Sequence, residues 1–203
     1  MNIAILVGGR GKRLGYIEKP MLKICGKEII KRIVSKFHDC NLVIVCRDYE
    51  QSLIYSKFSK TIIDEFKNIG PISGIYSALN YFKDLTLVIG GDMPFVKRDL
   101  AEFIYNFAKK VNIDAVIPYW GADKYEPLLA CYSPSALPQL KKCIIKGERK
   151  ISSAILQLKK ISLYPVERLK EIDNNLISFL NINTLDDLKR AEKICSSIDL
   201  EEV

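Results

Sequence analysis

The chain has 203 residues and a formal charge of +7, with 48% hydrophobic and 27% charged residues. These values are ordinary for a soluble globular protein and allow one domain with a substantial core. No apolar run approaches the roughly 20 residues of a membrane span, and the apolar stretch at the N-terminus stops too early for a signal peptide. We therefore expect a cytoplasmic protein without membrane contacts.

Cysteine, histidine and lysine usage argue against several kinds of site. The six cysteines form no C-x-x-C pair, which argues against a zinc site and, in a cytoplasmic chain, against a disulfide framework. They are expected to be free thiols, mostly in the core. The single histidine, His38, is expected at the surface, which leaves no residue for a histidine-based triad. The basic balance suits phosphorylated ligands, but the lysines form no block with aromatic residues, so nucleic acid is not expected.

The strongest pattern lies in the first 23 residues, where a short apolar run ends at glycines. Residues 3–7 have the pattern of a buried central strand. The residues that follow are the glycines Gly8, Gly9, Gly11 and Gly15, the cations Arg10, Lys12 and Arg13, and the closing pair Lys19 and Pro20. Glycines let the backbone approach a ligand, and successive N–H groups form a concavity suited to anions. The segment predicts a phosphate-binding loop at the carboxyl end of a sheet.

This loop matches neither of two well-known glycine loops. A P-loop needs a glycine where Leu6 stands and Ser or Thr where Arg13 stands. A dinucleotide fingerprint needs its third glycine where Leu14 stands. The loop is therefore of another kind, and the alternative is a glycine-rich turn with solvated cations.

Strands alternate with helices along the first half of the chain. Helical patterns cover residues 27–37, 49–58 and 100–111, and a turn at 70–74 leads into another helix that carries Ile75, Leu79 and Phe82. Apolar runs predict strands at 42–46, 61–63, 86–89 and 115–117, the last cut off by Pro118. This alternation predicts one α/β domain, residues 1–203, with a Rossmann-like, mostly parallel sheet and helices on both faces.

The second half continues with less regular patterns. It predicts a strand at 125–132, a helix from Ser133 to near Gly147, a helix at 151–160, a strand at 161–166 and a final strand at 177–182. A last helix would be capped by Asn183 or Thr184, with acidic residues favourably placed in its first turn.

Two aspartates end predicted strands of this sheet. Asp92 follows Gly90 and Gly91 at the end of the 86–89 strand, where a carboxylate faces the ligand crevice of an open α/β sheet. Magnesium prefers a few carboxylates plus phosphate oxygens, so Asp92 is a candidate Mg²⁺ ligand, with a turn or capping role as the alternative. Asp64 ends the 61–63 strand, six residues before Gly70, and its alternative is a solvated loop residue.

Residues 6–15, LVGGRGKRLG, followed by Lys19 and Pro20, resemble the signature of the nucleotidyltransferases. Those enzymes join a nucleoside triphosphate to a phosphorylated acceptor and release pyrophosphate. Within them, G-P-I-S-G at 70–74 and D-M-P-F at 92–95 are most similar to the MobA group, the molybdenum cofactor guanylyltransferases. The resemblance implies a nucleotide-diphospho-sugar-transferase-like fold, Mg²⁺, GTP and a molybdopterin-type phosphorylated acceptor, and suggests contacts with other molybdenum cofactor proteins.

The resemblance also implies roles for individual residues. Lys19 would neutralise charge on the triphosphate, Arg13 would be a second phosphate contact, and Asp92 would hold the metal. The nucleotide-binding residues would be Leu6, Val7, Gly8, Gly9, Gly11, Lys19, Asp64 and Asp92. Residues 147–150, GERK, resemble a basic turn near the pterin-binding side. Residues 180–184, LNINT, resemble a stretch in which Asn181 or Asn183 approaches the metal or acceptor phosphate, with capping as the alternative.

The chain departs from the family pattern at places that bear on nucleotide selectivity. Glu18 stands where many members have Asp, and a nucleotide-binding asparagine at the second strand has no clear counterpart in residues 43–47. The alternatives are a cobinamide-phosphate guanylyltransferase, whose glycine loop is also followed by E-K-P, and a sugar-phosphate nucleotidyltransferase. From another class, the alternative is a nucleotide-binding regulator without catalysis.

Overall fold

The computed structural model describes residues 1–9 and 17–201, and side chains as far as residue 197. Its strands are β1 (Asn2–Leu6), β2 (Lys23–Ile24), β3 (Lys27–Glu28), β4 (Asn41–Cys46), β5 (Thr61–Ile63), β6 (Thr86–Gly90), β7 (Ala115–Gly121), β8 (Lys124–Tyr125), β9 (Leu129–Tyr132) and β10 (Ile161–Pro165). Its α-helices are α1 (Ile29–Lys36), α2 (Tyr49–Tyr55), α3 (Pro71–Phe82), α4 (Arg98–Lys110), α5 (Leu137–Ile145), α6 (Ile151–Ile155) and α7 (Leu185–Glu201). In this part of the chain, no helix has both the length and the apolar character needed to cross a bilayer.

The main sheet has the order β10-β7-β9-β6-β1-β4-β5, with β8 paired to β7. Strand β1 lies inside the sheet, parallel to β4 and β6, which confirms the central strand expected from its apolar run. Strand β9 runs antiparallel to both of its neighbours, β6 and β7. The predicted α/β fold with a mostly parallel sheet is therefore confirmed.

Alternate residues of β1 pack against helices on opposite faces of the sheet. Ile5 belongs to the same buried cluster as Ile33 of α1 and Ile104 of α4. Ala4, on the other face, packs with Ala78 of α3. Because successive side chains of a strand point to opposite faces, both faces of β1 are covered, as its continuous apolar run indicates.

Backbone hydrogen bonds align the carboxyl ends of four parallel strands. Val7 N–H donates to the Val45 carbonyl at 3.1 Å, and Asp64 N–H donates to the Cys46 carbonyl at 2.8 Å. Gly91 N–H donates to the Leu6 carbonyl at 2.9 Å. The residues that follow β1, β4, β5 and β6 consequently meet at one edge of the sheet, where ligands bind in open α/β sheets.

The predicted strand at 177–182 is wrong. Ile177–Phe179 form a 3₁₀ turn instead, entered from Leu176 in the left-handed region at φ +50°. Ser178 N–H donates to the carboxylate of buried Asp173 at 2.8 Å, so this backbone donor is paired with a side chain and not with a neighbouring strand. The apolar pattern did report burial, because Phe179 and Ile182 lie in the core.

Several other boundaries differ from the sequence prediction. Helix α3 begins at Pro71, with Gly70 at φ +94° before it, so most of the predicted turn at 70–74 is the first helical turn. Strand β7 continues through Pro118, whose carbonyl accepts the N–H of Glu126 at 2.8 Å, while pairing with β9 ends at Val116. Proline is tolerated there because no ladder bond to β9 needs its nitrogen. The predicted strand at 125–132 is divided between β8 and β9, and helix α6 ends at Ile155.

The expectation that all cysteines are free thiols is wrong for one pair. A disulfide joins Cys25, after β2, to Cys195 in α7, across 170 residues of sequence. Sequence spacing gave no signal for this pair because only the fold brings the two residues together. The remaining cysteines are free, and His38 is exposed as expected.

Candidate active site

A cleft of about 650 Å³ lies at the carboxyl edge of the sheet. Its lining residues are Leu6, Val7, Gly8, Gly9, Lys19, Pro20, Val45, Arg47, Asp64, Asn68, Gly70, Pro71, Gly74, Asp92, Leu128, Arg149 and Asn183. The fold thus brings Leu6, Val7, Gly8, Gly9, Lys19, Asp64 and Asp92, named from the sequence, into one cleft. The other two candidates, Gly11 and Arg13, lie outside the described residues.

Lys19 is held at the centre of a polar cluster. It begins a 3₁₀ turn, Lys19–Met21, in which Pro20 is buried. Its Nζ donates to Asp92 Oδ2 at 3.1 Å and to Asn183 Oδ1 at 2.6 Å. The Lys19 and Asp92 side chains are only 17% and 22% exposed, so this ion pair is largely sheltered from water. An ammonium in this position can act on the charge of a bound anion.

Asn183 enters this cluster because two contacts fix its backbone. Ile182 N–H donates to the Asp92 carbonyl at 2.9 Å, and Asn183 N–H donates to Asp187 Oδ2 at 2.9 Å. Thr184, not Asn183, is the residue that caps α7, since its Oγ1 accepts Asp187 N–H. Asn181 donates its Nδ2 to the Phe179 carbonyl and is not among the cleft-lining residues. The two asparagines named from the sequence therefore have different positions.

Gly91 allows the segment that carries Lys19 to pack on the end of β1. A Cβ at Gly91 would stand 2.9 Å from Pro20 Cγ and 3.0 Å from the Leu6 carbonyl oxygen. These separations are at or below the shortest real Cβ contacts, so any larger residue displaces its neighbours. The glycine before Asp92 thus serves the approach of two protein segments.

Two oxygen donors could take part in holding a metal ion. The Asp92 carboxylate and the Asn183 amide oxygen converge on the same point, the Lys19 ammonium. No group of three or more His, Cys, Asp or Glu side chains suited to a metal occurs among the described residues. This sparse oxygen set fits magnesium, which commonly takes one or two carboxylates and completes its shell with phosphate and water.

Asp64 lines the same cleft and has one buried carboxylate oxygen without a partner. Within the described part of the chain, its Oδ1 is buried and has no hydrogen-bond partner. Burial raises the pKa of Asp64 to about 7, against the lowering effect of the Ser77 and Ser73 hydroxyls. A Cβ at Gly74 would lie 3.5 Å from Oδ1, so the start of α3 packs closely on the carboxyl group. The other oxygen, Oδ2, lies 3.8 Å from where a Cβ at Gly8 would stand, so the carboxylate reaches the glycine side of the cleft and can accept a ligand N–H there.

Sequence reasoning did not identify Arg47 as a cleft residue. Arg47 directly follows β4, within the stretch 43–47 in which the family asparagine has no clear counterpart, and its Nη2 donates to Glu18 Oε1 at 2.6 Å. Its place after a buried strand was the available signal, the same one that identified Asp64. Arg149, from the basic turn noted at 147–150, also lines the cleft. Lys19, Arg47 and Arg149 give the cleft cationic groups that suit an anionic ligand.

Comparisons with known proteins agree with this geometry. Residues 3–161 match the family model described as the MobA-like NTP transferase domain. The probable molybdenum cofactor guanylyltransferase of Methanosarcina mazei is 31% identical over 91% of this chain and 87% of its own length. Those of Pyrococcus horikoshii and Clostridium perfringens are each 33% identical, over 91% and 95% of this chain and 95% and 98% of their own lengths.

Solved structures give the same result at the level of the fold. The molybdopterin-guanine dinucleotide biosynthesis protein A of Archaeoglobus fulgidus has a TM-score of 0.90 and 43% identity, covering 97% of this chain and 100% of that one. A 4-diphosphocytidyl-2C-methyl-D-erythritol synthase of Anaerococcus prevotii has a TM-score of 0.64 at 15% identity, covering 96% and 95% of the two chains. The second likeness is one of fold alone.

Proposed function

The chain belongs to the MobA-like NTP transferase family, and on that premise we propose that it transfers GMP from GTP to the phosphate of molybdopterin. The products are the guanine dinucleotide form of the cofactor and pyrophosphate. One observation carries the proposal, namely that Lys19, Asp92 and Asn183 are hydrogen-bonded together in the cleft that Gly8 and Gly9 also line. That cleft combines a cation, a carboxylate and glycine backbone, which phosphoryl-type transfer requires.

The reaction needs little acid–base help from the protein. An oxygen of the acceptor phosphate attacks the α-phosphorus of GTP, and the bond from that phosphorus to the bridging β-phosphate oxygen breaks. The bonding electrons leave with pyrophosphate. Because the second pKa of a phosphate monoester is near 6, the attacking oxygen is already largely deprotonated at neutral pH. A general base is therefore unnecessary, and the single histidine, His38, is exposed and not among the residues that line the cleft.

Positioning and charge neutralisation are the tasks left to the side chains. The Lys19 ammonium stabilises negative charge that develops on the phosphates during the transfer. Asp92 and Asn183 are the residues that would hold Mg²⁺, which would offset charge on the reacting phosphates. Gly8 and Gly9 keep the cleft wall free of side chains, so that phosphate oxygens can approach the backbone.

Asp64 is the group best suited to recognise guanine. Guanine presents a ring N–H and an exocyclic amine on the edge where adenine has an acceptor and no such amine. The Asp64 carboxylate, whose Oδ2 lies on the Gly8 side of the cleft, can accept from those donors, and adenine would leave it unpaired at a cost of about 1–3 kcal/mol. Asp64 thereby provides the selectivity for GTP that the proposal requires.

Nucleotide preference tests this function. We expect kcat/KM for GTP to exceed that for ATP by at least roughly tenfold, and Asp64→Ala to reduce the ratio. Glu65→Ala, at an exposed neighbour that is not among the cleft-lining residues, is the matched control and should keep the wild-type ratio. Equal rates with GTP, ATP and CTP would reject a guanylyltransferase.

The other expectations about this protein stay predictions. They are the single-domain organisation, the cytoplasmic location, contacts with other molybdenum cofactor proteins, and the lack of nucleic-acid and membrane partners. The role of Arg13 as a second phosphate contact and that of Gly11 in nucleotide binding also remain proposals, since both residues lie outside the described part of the chain.

A further inference from the structure

The side chain of Gln51, in α2, connects two segments of the cleft that are far apart in sequence. Its Nε2 donates to the Val7 carbonyl at 2.9 Å and to Glu18 Oε2 at 2.7 Å. Its Oε1 accepts the N–H of Arg47 at 2.8 Å. Gln51 is 0% exposed, so these bonds form away from solvent and are not weakened by competing water.

Glu18 is the meeting point of further donors. Besides Gln51, its carboxylate accepts Arg47 Nη2 at 2.6 Å and the Tyr55 hydroxyl at 3.1 Å. Tyr55 is fully buried, and the Glu18 side chain is 19% exposed. Three donors on one sheltered carboxylate leave it little freedom to move, so the backbone at Glu18 is fixed relative to α2.

The two segments held by Gln51 are those that lead into the phosphate-facing residues. Val7 is followed by Gly8 and Gly9, and Glu18 is followed by Lys19. Val7, Gly8, Gly9 and Lys19 line the cleft. We propose that Gln51 is a positioning residue that sets the separation between the Val7–Gly9 wall and the Lys19 ammonium. This inference rests on the proposed function, since it assigns Gln51 an effect on triphosphate binding.

Helix α2 has other means of anchoring, which separates this role from simple helix packing. The Asp48 side chain already caps the helix by accepting Gln51 N–H at 2.8 Å, and buried Tyr55 packs its last turn against the core. A buried position of this kind is commonly filled by an apolar residue, because an amide must find partners for every polar atom. Here both polar atoms of the Gln51 amide are paired, and the acceptors of its Nε2, the Val7 carbonyl and the Glu18 carboxylate, belong to the two segments that lead into the cleft.

The physical effect expected of Gln51 is preorganisation. A cleft whose two walls are already at the right separation loses less conformational entropy when it binds a ligand. Without the amide, Val7 and Glu18 can move apart, and GTP must order them on binding. GTP affinity should therefore fall, although no group that would contact the phosphates has been removed.

The test compares two variants with a control variant that lowers stability elsewhere in the core. Gln51→Met keeps the volume of the side chain and removes its hydrogen bonds to Val7, Glu18 and Arg47. Tyr55→Phe removes one donor to Glu18 and leaves the hydrogen bond from Gln51 to Val7 intact. We expect KM for GTP to rise about tenfold in Gln51→Met and less in Tyr55→Phe, with smaller changes in kcat and in KM for the acceptor. Ile104→Val, in the core at α4, should lower the melting temperature without changing KM for GTP.

Amide hydrogen exchange gives a second readout that does not depend on activity. In nucleotide-free protein, Gln51→Met should speed exchange at the hydrogen-bonded amides of Val7, Met21 and Leu22, which lie in the two segments, whereas Ile104→Val should not. If the wild type fails to release pyrophosphate, the proposed function fails, and exchange still tests the contact made by Gln51. A GTP KM within about twofold of wild type, or unchanged exchange at these amides in Gln51→Met, would overturn the proposal.

Discussion

Lys19 and Asp92 form an ion pair of 3.1 Å between residues that are 73 positions apart in the sequence. The sheet edge and the close approach permitted by Gly91 bring the two together, and Asn183 accepts a second hydrogen bond from the same ammonium. The cation and the carboxylate are consequently held in place by the fold itself. An arrangement that is already assembled needs little reorganisation when charge develops on a substrate.

Removal of the ammonium should weaken both binding and catalysis. We expect Lys19→Ala to lower kcat/KM for GTP about ten- to a hundredfold, because a sheltered charge-assisted contact to phosphate contributes roughly 1.5–3 kcal/mol. Steady-state rates of pyrophosphate release measure the effect. Lys23→Ala, at an exposed lysine four residues on, should match the wild type. An unchanged rate and GTP affinity in Lys19→Ala would make Lys19 a structural residue.

Neutralising Asp92 should abolish turnover that depends on magnesium. Asp92→Asn keeps the shape of the side chain but removes the charge that a hard cation prefers. A magnesium titration of the rate measures the effect, and a thermal melt checks the fold. The exposed Asp99, in the first turn of α4, provides the control Asp99→Asn, which should behave as wild type. A near-normal magnesium dependence in Asp92→Asn would remove Asp92 from the metal site.

Asp64 should make the protein less stable as the pH rises towards neutrality. Burial raises its pKa from 3.8 to about 7, so between these values the folded state binds a proton that the unfolded state does not. The resulting stability is fully present below the unfolded pKa and is lost as the pH rises through about 7. Asp64→Asn removes this titration. Its melting temperature should therefore exceed that of the wild type at about pH 8, and the difference should shrink towards about pH 5.

The same titration should affect GTP binding in the opposite direction. Guanine donors need the ionised carboxylate, so the GTP affinity of the wild type should fall as the pH drops through about 7. Calorimetric titrations at several pH values measure this fall, and the affinity of Asp64→Asn should be weaker and less dependent on pH. If the difference in melting temperature between wild type and Asp64→Asn stayed constant from about pH 5 to about pH 8, the pKa assigned to Asp64 would be contradicted.

Two glycines in the cleft should respond differently to the same substitution. Gly91→Ala places a methyl group against Pro20 and Leu6, so we expect a loss of about 1–3 kcal/mol in the free energy of unfolding. A Cβ at Gly9 would have no described protein atom within 4 Å outside its chain neighbours, so Gly9→Ala should keep the melting temperature. It should nevertheless raise KM for GTP, because the wall that phosphate approaches gains a side chain. Equal effects of both variants on stability and KM would show that the glycines have one common role.

The ends of buried strands were the part of this site most readable from sequence. The residues after β1, β5 and β6 include Gly8, Asp64 and Asp92, and parallel pairing alone predicts that they meet. Arg47 follows β4 in the same way, so the rule that predicts the position of Asp64 applies to it as well.

Other features depended on contacts that no local pattern encodes. Asn183 reaches Lys19 only because Thr184 and Asp187 fix the start of α7, and Asn181, two residues earlier, does not. The apolar residues at 177–182 indicate burial. Phe179, in a 3₁₀ turn held by Asp173, and Ile182, which follows that turn, are both buried, but neither lies in a strand. The disulfide between Cys25 and Cys195 likewise follows from tertiary proximity.

The most direct test of the account is pyrophosphate release in the presence of GTP, Mg²⁺ and one acceptor at a time. We predict release with molybdopterin, together with formation of a guanine dinucleotide product, and little release with cobinamide phosphate or a sugar phosphate. Release with either of those acceptors but not with molybdopterin would contradict the proposed function, and binding of GTP without any release would make the protein a regulator and not an enzyme.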